Sequence, residues 1–195
     1  MPAYLGSGRP ISGIATGPGM KATPPEGSTA IWDAIALTAS EVLARDDNGK
    51  NQRRIPTQRR RAIILLTDGV DSTSRLLRSE AVNRALAAET VIYAIGIGDS
   101  KYAGVDHGAL NAIATGTGGR AFFPKRETDL TKAFAEIEQE LRTQYLIAYS
   151  PSNKNHDGSY RQMHIDITNP ELQKRQIKLR HRPGYFAKSL ANQNR

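Results

Sequence analysis

Arg61-Ala-Ile-Ile-Leu-Leu-Thr-Asp68-Gly-Val-Asp71-Ser72 decides the fold. A continuous apolar run that ends in one carboxylate at a glycine turn is the pattern of a strand buried on both faces of a parallel sheet. In open α/β sheets, ligands bind in the crevice outside the carboxyl ends of such strands. Val91-Ile-Tyr-Ala-Ile-Gly-Ile97 repeats the pattern and ends in Gly98-Asp99-Ser100. Between the two runs, Ala81, Val82, Ala85 and Leu86 recur at helical spacing and predict a helix over about 78–89. Strand, helix and strand at this spacing form a βαβ unit with a right-handed crossover. Asp68 and Asp99 are therefore expected to leave the same edge of the sheet.

Downstream, a short helix over about 107–115 stops at Gly116-Thr-Gly-Gly119. Arg120-Ala-Phe-Phe-Pro124 follows as a short strand closed by proline. Leu130, Phe134, Ile137 and Leu141 mark the core stripe of a helix over about 128–142. Upstream, Ile31, Ile35, Thr38, Ala39, Val42 and Leu43 predict an amphipathic helix, with Ser28 or Thr29 as its N-cap. Residues 45–60 carry turn chemistry and a pre-proline Ile55, the mark of a solvated connection. The glycine- and proline-rich residues 1–26 read as an irregular arm that supplies no core strand. Beyond residue 143 the apolar period changes to two, in Tyr145–Tyr149, Met163–Ile167 and Ile177–His181. This predicts a small three-stranded antiparallel appendage over 144–187, followed by a tail over 188–195.

A chain of 195 residues suits one domain plus an appendage. No apolar run reaches the ~20 residues of a bilayer span, and the N-terminal stretch lacks the hydrophobic centre of a secretory signal. The absence of cysteine excludes disulfides, thiolate metal sites and cysteine nucleophiles. The net charge of +8 gathers in Arg53, Arg54, Arg59, Arg60 and Arg61, and again in Lys174, Arg175, Lys178, Arg180 and Arg182. Neither cluster carries the interleaved aromatics of a single-strand binder, so they read as solvated faces and predict no specific nucleic-acid partner. His107, His156, His164 and His181 lack zinc-ligand spacing, and Trp32 reads as packing.

Gly27-Ser28-Thr29-Ala-Ile-Trp-Asp33-Ala-Ile35 together with Leu65-Leu66-Thr67-Asp68-Gly69 resembles the second and third metal loops of a von Willebrand factor A (VWA) domain. Gln144-Tyr-Leu-Ile-Ala-Tyr-Ser-Pro151 and Arg180-His-Arg-Pro-Gly184-Tyr-Phe-Ala resemble the tail of a bacterial VWFA-related subgroup. Full-length members of that subgroup are generally exported. The resemblance covers residues 27–187 and implies a Rossmann-like α/β fold. The VWA part would span 27–143 and be N-terminally incomplete, because the Asp-x-Ser-x-Ser segment of the first strand is missing. No Asp precedes Asp33, and neither Asp71 nor Asp157 opens that motif.

The family's metal ion-dependent adhesion site takes a Thr from one loop and an Asp from the next. The resemblance thus implies Thr29 and Asp68 as ligands, with Ser28, Asp33, Asp71 and Asp99 as supporting polar groups. The implied cofactor is Mg²⁺, or Mn²⁺ or Ca²⁺, held weakly without the first loop, because such hard cations need about six oxygens. The implied partner is a protein that offers an acidic side chain, and the implied activity is binding. Ser28 and Thr29 could instead only cap the helix, and Asp68 could only shape its turn. An enzyme of the haloacid dehalogenase type also ends a strand in Thr-Asp-Gly, but its nucleophilic carboxylate falls here on Leu66, so the first chemical step has no nucleophile. A third reading is a scaffold without metal, whose uncovered sheet edge would invite assembly with itself or another chain.

Overall fold

The computed structural model describes residues 28–43, 61–98, 104–145, 147–175, 177–187 and 189. The arm over 1–26, the connection over 45–60, Asp99 and nearly all of the tail lie outside them, as do the side chains of Val42 and Leu43.

The core is a three-stranded parallel sheet in the order β1-β2-β3: β1 Arg61–Thr67, β2 Thr90–Gly96 and β3 Ala121–Phe122. β1 and β2 are in register from Arg61↔Thr90 to Thr67↔Gly96, and β2 meets β3 at Ala94↔Ala121 and Ile95↔Phe122. Parallel pairing requires crossovers. They are supplied by α2 Arg78–Ala87 between β1 and β2, and by α3 His107–Gly116 between β2 and β3. A first helix α1, Ile31–Leu37, continues as a π-helical turn over Thr38–Leu43, and α4 Glu127–Arg142 follows β3. Each element expected from periodicity up to residue 143 is therefore present, with ends displaced by a residue or two where helices fray.

The alternation of side chains along β2 builds the core on both faces. Ile92 packs with Ile31, Ile35, Ala81, Ala85 and Ile113 of the helices on one face, while Ala94 meets Leu110 and Ala114 of α3 beside them. Tyr93 and Ile95 pack with Phe122 and with Ala133 and Ile137 of α4 on the other. Alanines at the helix contacts let backbones approach the sheet. Full burial of each large aliphatic stabilises the fold by roughly 1.5–3 kcal/mol. β1 differs. Its odd residues Ile63 and Leu65 pack inward, whereas Ile64 and Leu66 are 45% and 53% exposed on the α4 side. Phe134, expected in the core stripe of α4, is 42% exposed, because α4 lies over β2 and β3 and its Phe134 face overhangs β1.

The appendage is antiparallel, but it has two strands rather than three: β4 Tyr160–Gln162 pairs with β5 Gly184–Phe186. The described residues of the three alternating runs, 145–149, 163–167 and 177–181, are not strands, and the short helix α5 Pro170–Lys174 lies between the last two. Alternation stabilises a strand only when one side is buried, and in the first and last runs Tyr145 is 94% exposed, with Ile147, Ile177 and Leu179 also open to solvent; Met163, Ile165 and Ile167 of the middle run are half-buried, and nothing in the structure explains why they form no strand. The strands form instead where side chains find partners. Tyr160 and Phe186 meet edge to face at 5.3 Å between centroids, and Arg161 donates to the carbonyls of Asn153 and Asn155. Gly118 joins this unit to the sheet domain. It sits at φ +86°, and a Cβ there would lie 2.7 Å from the backbone nitrogen of Arg182. Arg180 also pairs with Glu140 of α4.

Candidate functional site

The site begins with the way β1 ends. The buried Thr67 hydroxyl accepts the amide of Gly69 at 3.2 Å and lies at the same distance from its carbonyl, closing a tight turn on the strand. Asp68, between them, is exposed. Among the described residues no hydrogen bond or ion pair engages its carboxylate.

The N-terminus of α1 comes to the same place. Its N-cap residue is Ala30, which has no side-chain acceptor, so the sequence expectation of capping by Ser28 or Thr29 is corrected. The first free amides of a helix still need acceptors. Trp32 N–H donates to Asp71 Oδ2 and to Ser74 Oγ, both at 3.0 Å, and Asp33 N–H donates to Ser74 Oγ at 3.1 Å. Ser74 in turn donates its hydroxyl to Asp71 Oδ2, and its amide to Asp71 Oδ1 at 3.3 Å. The acceptors thus come from the loop after β1.

The helix answers in kind. Asp33 accepts the amides of Arg75 at 3.0 Å and Leu76 at 2.9 Å. Those two backbone hydrogen bonds hold its carboxyl below the usual range, against a small opposing effect of desolvation. Thr29 completes the latch through its backbone: its N–H donates to Ser72 Oγ at 2.9 Å, and its carbonyl accepts Ser72 N–H at 2.8 Å and Thr73 N–H at 3.3 Å.

This latch sets Thr29 beside Asp68. A Cβ on Gly69 would lie 3.6 Å from Thr29 Oγ1, so the hydroxyl stands against the residue that follows Asp68. The loop after β2 joins them, since Ile97 N–H donates to the Thr67 carbonyl at 2.8 Å and a Cβ on Gly98 would lie 3.8 Å from the Asp68 carbonyl. A cavity of about 190 Å³ opens alongside, between Trp32, Gly69, Asp71, Arg78, Asp106 and Leu110. Asp106 lines it while capping α3 through the amide of Ala109 at 2.8 Å.

Of the six residues named from sequence, Thr29 and Asp68 stand on adjoining loops, with the Thr29 hydroxyl against Gly69, and among the described residues neither side-chain oxygen has a hydrogen-bond partner. Asp33 and Asp71 lie beside them but are occupied by backbone amides. Ser28 is exposed, and Asp99 lies outside the described residues. Sequence reasoning passed over Ser72, Ser74 and Asp106. For the first two a signal was available, because an Asp with hydroxyls one and three residues on is rich in helix-capping acceptors. Among the described residues no three His, Cys, Asp or Glu side chains gather as a group able to hold a metal. A hard cation there would meet donors of the right kind, one hydroxyl and one free carboxylate, and would draw the rest of its shell from water or a partner.

A parallel α/β sheet with polar loops converging at its carboxyl edge defines a class of ligand-binding domain. The chain belongs to the VWA family: the von Willebrand factor type A domain matches residues 20–136. VWA domains are protein-interaction modules. No curated protein matches the chain. Among solved structures it is similar to an uncharacterized membrane spanning protein from Vibrio fischeri, at 28% identity over 43% of this chain, with a TM-score of 0.38. The match spans 48% of that protein's length. No helix among the described residues of the present chain is long and apolar enough to cross a membrane.

Proposed function

We propose that this chain is a protein-binding VWA module whose contact point is the Thr29–Asp68 crevice. There a divalent cation, Mg²⁺ or Mn²⁺, would be shared between the Thr29 hydroxyl, the Asp68 carboxylate, water and an acidic side chain of the partner. The observation that carries this reading is the division of labour at the crevice. Asp33, Asp71, Ser72 and Ser74 are spent on the latch, while the neighbouring Thr29 Oγ1 and Asp68 carboxylate face no described partner.

The role of this chain's residues is to bind and orient. The latch fixes the Thr29 backbone against the loop, and the Thr67–Gly69 turn fixes the backbone around Asp68, which supports a pair of donors held on adjoining loops before any ligand arrives. The cation supplies charge that makes a carboxylate welcome beside Asp68. With two donors from the described residues, its affinity would be weak and would gain from the partner's acid. Catalysis is not part of the reading: among the described residues of the crevice no nucleophile is hydrogen-bonded to a base.

Calorimetric titration of Mg²⁺ and Mn²⁺ into the chain and into Asp68→Ala tests it. Weak binding by the parent and none by the variant is expected, and equal heats from the two would rule out Asp68 as a ligand.

A further inference from the structure

Arg161 is buried where a hairpin side chain has water within reach. It sits in the middle of β4, yet its side chain is only 13% exposed. Burial of a guanidinium is unfavourable unless its N–H groups and its charge are both met. One short loop, Asn153–Ser159, meets both. The Nη1 and Nη2 groups donate to the carbonyls of Asn153 and Asn155, and Nη2 stands 3.8 Å from Asp157 Oδ1.

Local bonds shape the loop around that guanidinium. Asn153 Oδ1 accepts the amide of Asn155 at 3.0 Å, and Asp157 Oδ1 accepts the amide of Ser159 at 3.0 Å and its hydroxyl at 2.6 Å. Gly158 turns the chain at φ +73°, a conformation glycine adopts without steric cost. The Asp157 carboxyl is held below its usual range, first by the hydroxyl and amide of Ser159 and further by the charge of Arg161.

The spacing is that of a loop built around a cation. Asn153, Asn155, Asp157 and Gly158 fall at the first, third, fifth and sixth positions of the Asp/Asn-x-Asp/Asn-x-Asp/Asn-Gly pattern of calcium loops. Two later positions differ. The twelfth, which supplies an acid in calcium loops, is His164, and the ninth is Arg161 itself. Asp157 is the only acid from Asn153 to His164, so the oxygens around the centre carry one negative charge. That balances a guanidinium and leaves a divalent ion half neutralised. Two carbonyls that each take one N–H also suit a planar fork better than a spherical ion.

We propose that Asn153–Ser159 is a cation-binding loop whose resident cation is the guanidinium of Arg161, carried on the same chain, so that the appendage closes without a metal. The ligand class of the loop is a planar guanidinium, and with Arg161 removed the same oxygens take up a free alkylguanidinium. This is independent of the crevice reading. The hairpin depends on the loop, because the Ser159 carbonyl at its end accepts Ala187 N–H at 2.9 Å and the Pro183 carbonyl accepts Met163 N–H at 2.8 Å just beyond β4.

Arg161→Ala in the full chain empties the loop. Hydrogen exchange should quicken at the Met163 and Ala187 amides and stay slow at Ile92 and Ala94 of β2, which bond to Thr117 Oγ1 and the Arg120 carbonyl. Methylguanidinium below denaturing concentrations should restore the lost protection, and N-methylurea, similar in shape but neutral, should not. Unchanged exchange in the variant, an equal response to the two compounds, or restoration by neither would overturn the proposal. A second measurement reads the unmodified chain. Nitrogen-15 spectra should show the Arg161 Nη protons as separate, slowly exchanging signals that are absent from Arg161→Lys. Nη protons that average with water would overturn the proposal even if the alanine variant does not fold.

Discussion

Replacing Asp71 by Ala should destabilise the domain more than alanine at Ser28 or Thr29, although the latter are the residues adjacent to the helix start. Asp71 Oδ2 accepts Trp32 N–H at 3.0 Å, and its carboxylate also holds Ser74, the second acceptor for the helix amides. Loss of a helix-capping acceptor costs roughly 0.5–2 kcal/mol. Loss of the order it imposes on Ser74 places the change at the upper end of that range, about 2 kcal/mol. For a chain of this size that corresponds to a fall in Tm of roughly 4–8 °C. Ser28→Ala, at an exposed residue outside the latch, should change stability by less than about 0.5 kcal/mol. Urea unfolding followed by circular dichroism measures both. A Ser28→Ala cost equal to or larger than that of Asp71→Ala would refute the long-range cap and restore the local one.

Asp33 gives the latch a pH dependence of definite sign. Its carboxyl is held below the ordinary 3.8 by the amides of Arg75 and Leu76, so its stabilisation is present above that value and is lost as pH falls through the lower folded-state value. Asp33→Asn should therefore be less stable than the parent at neutral pH, and the gap should close in strong acid. A gap that is constant with pH in paired denaturation curves would contradict the assignment. Ile137→Ala should cost about 2–5 kcal/mol, because Ile137 is 1% exposed, while Phe134→Ala on the same helix, 42% exposed, should cost well under half as much. Gly119→Ala should cost about 3 kcal/mol or prevent folding, since its Cβ would stand 2.0 Å from the Ile92 carbonyl oxygen. Native-like thermal unfolding of that variant would show that the turn has more room than its backbone contacts imply.

The sheet domain was legible in sequence because its signals are local. A buried parallel strand must be apolar throughout, as β1 and β2 are, and α4 announces itself by a stripe repeated over four turns. The position of Asp68 followed from the same logic, since a residue at the end of a parallel strand has its place fixed by the strand. What failed to show was set by partners distant in the chain. The cap of α1 was assigned to Ser28 or Thr29 by proximity, yet its acceptors, Asp71 and Ser74, arrive through the fold. Alternation predicts the appendage strands at three runs, but the apolar side chains of the first and last are largely exposed, and the half-buried middle run forms no strand ladder. Pairing went to Tyr160–Gln162 and Gly184–Phe186, where ring contacts and the Arg161 bridge supply partners.

The latch also explains why two donors can serve as a contact point at all. Among the described residues of its loop, Thr29 alone is bonded to the Asp71–Ser74 segment through both backbone N–H and C=O, so its backbone is fixed without its hydroxyl being used. Had Thr29 capped α1 itself, its hydroxyl would have been spent on a helix amide and the crevice would hold Asp68 alone. Moving the capping task to Asp71 and Ser74 releases that hydroxyl and ties its position to the loop that carries Asp68. Ligand binding and latch stability are therefore coupled: Asp71→Ala should weaken any Mg²⁺ binding by the chain although Asp71 need not touch the ion. Ser28→Ala should leave it unchanged.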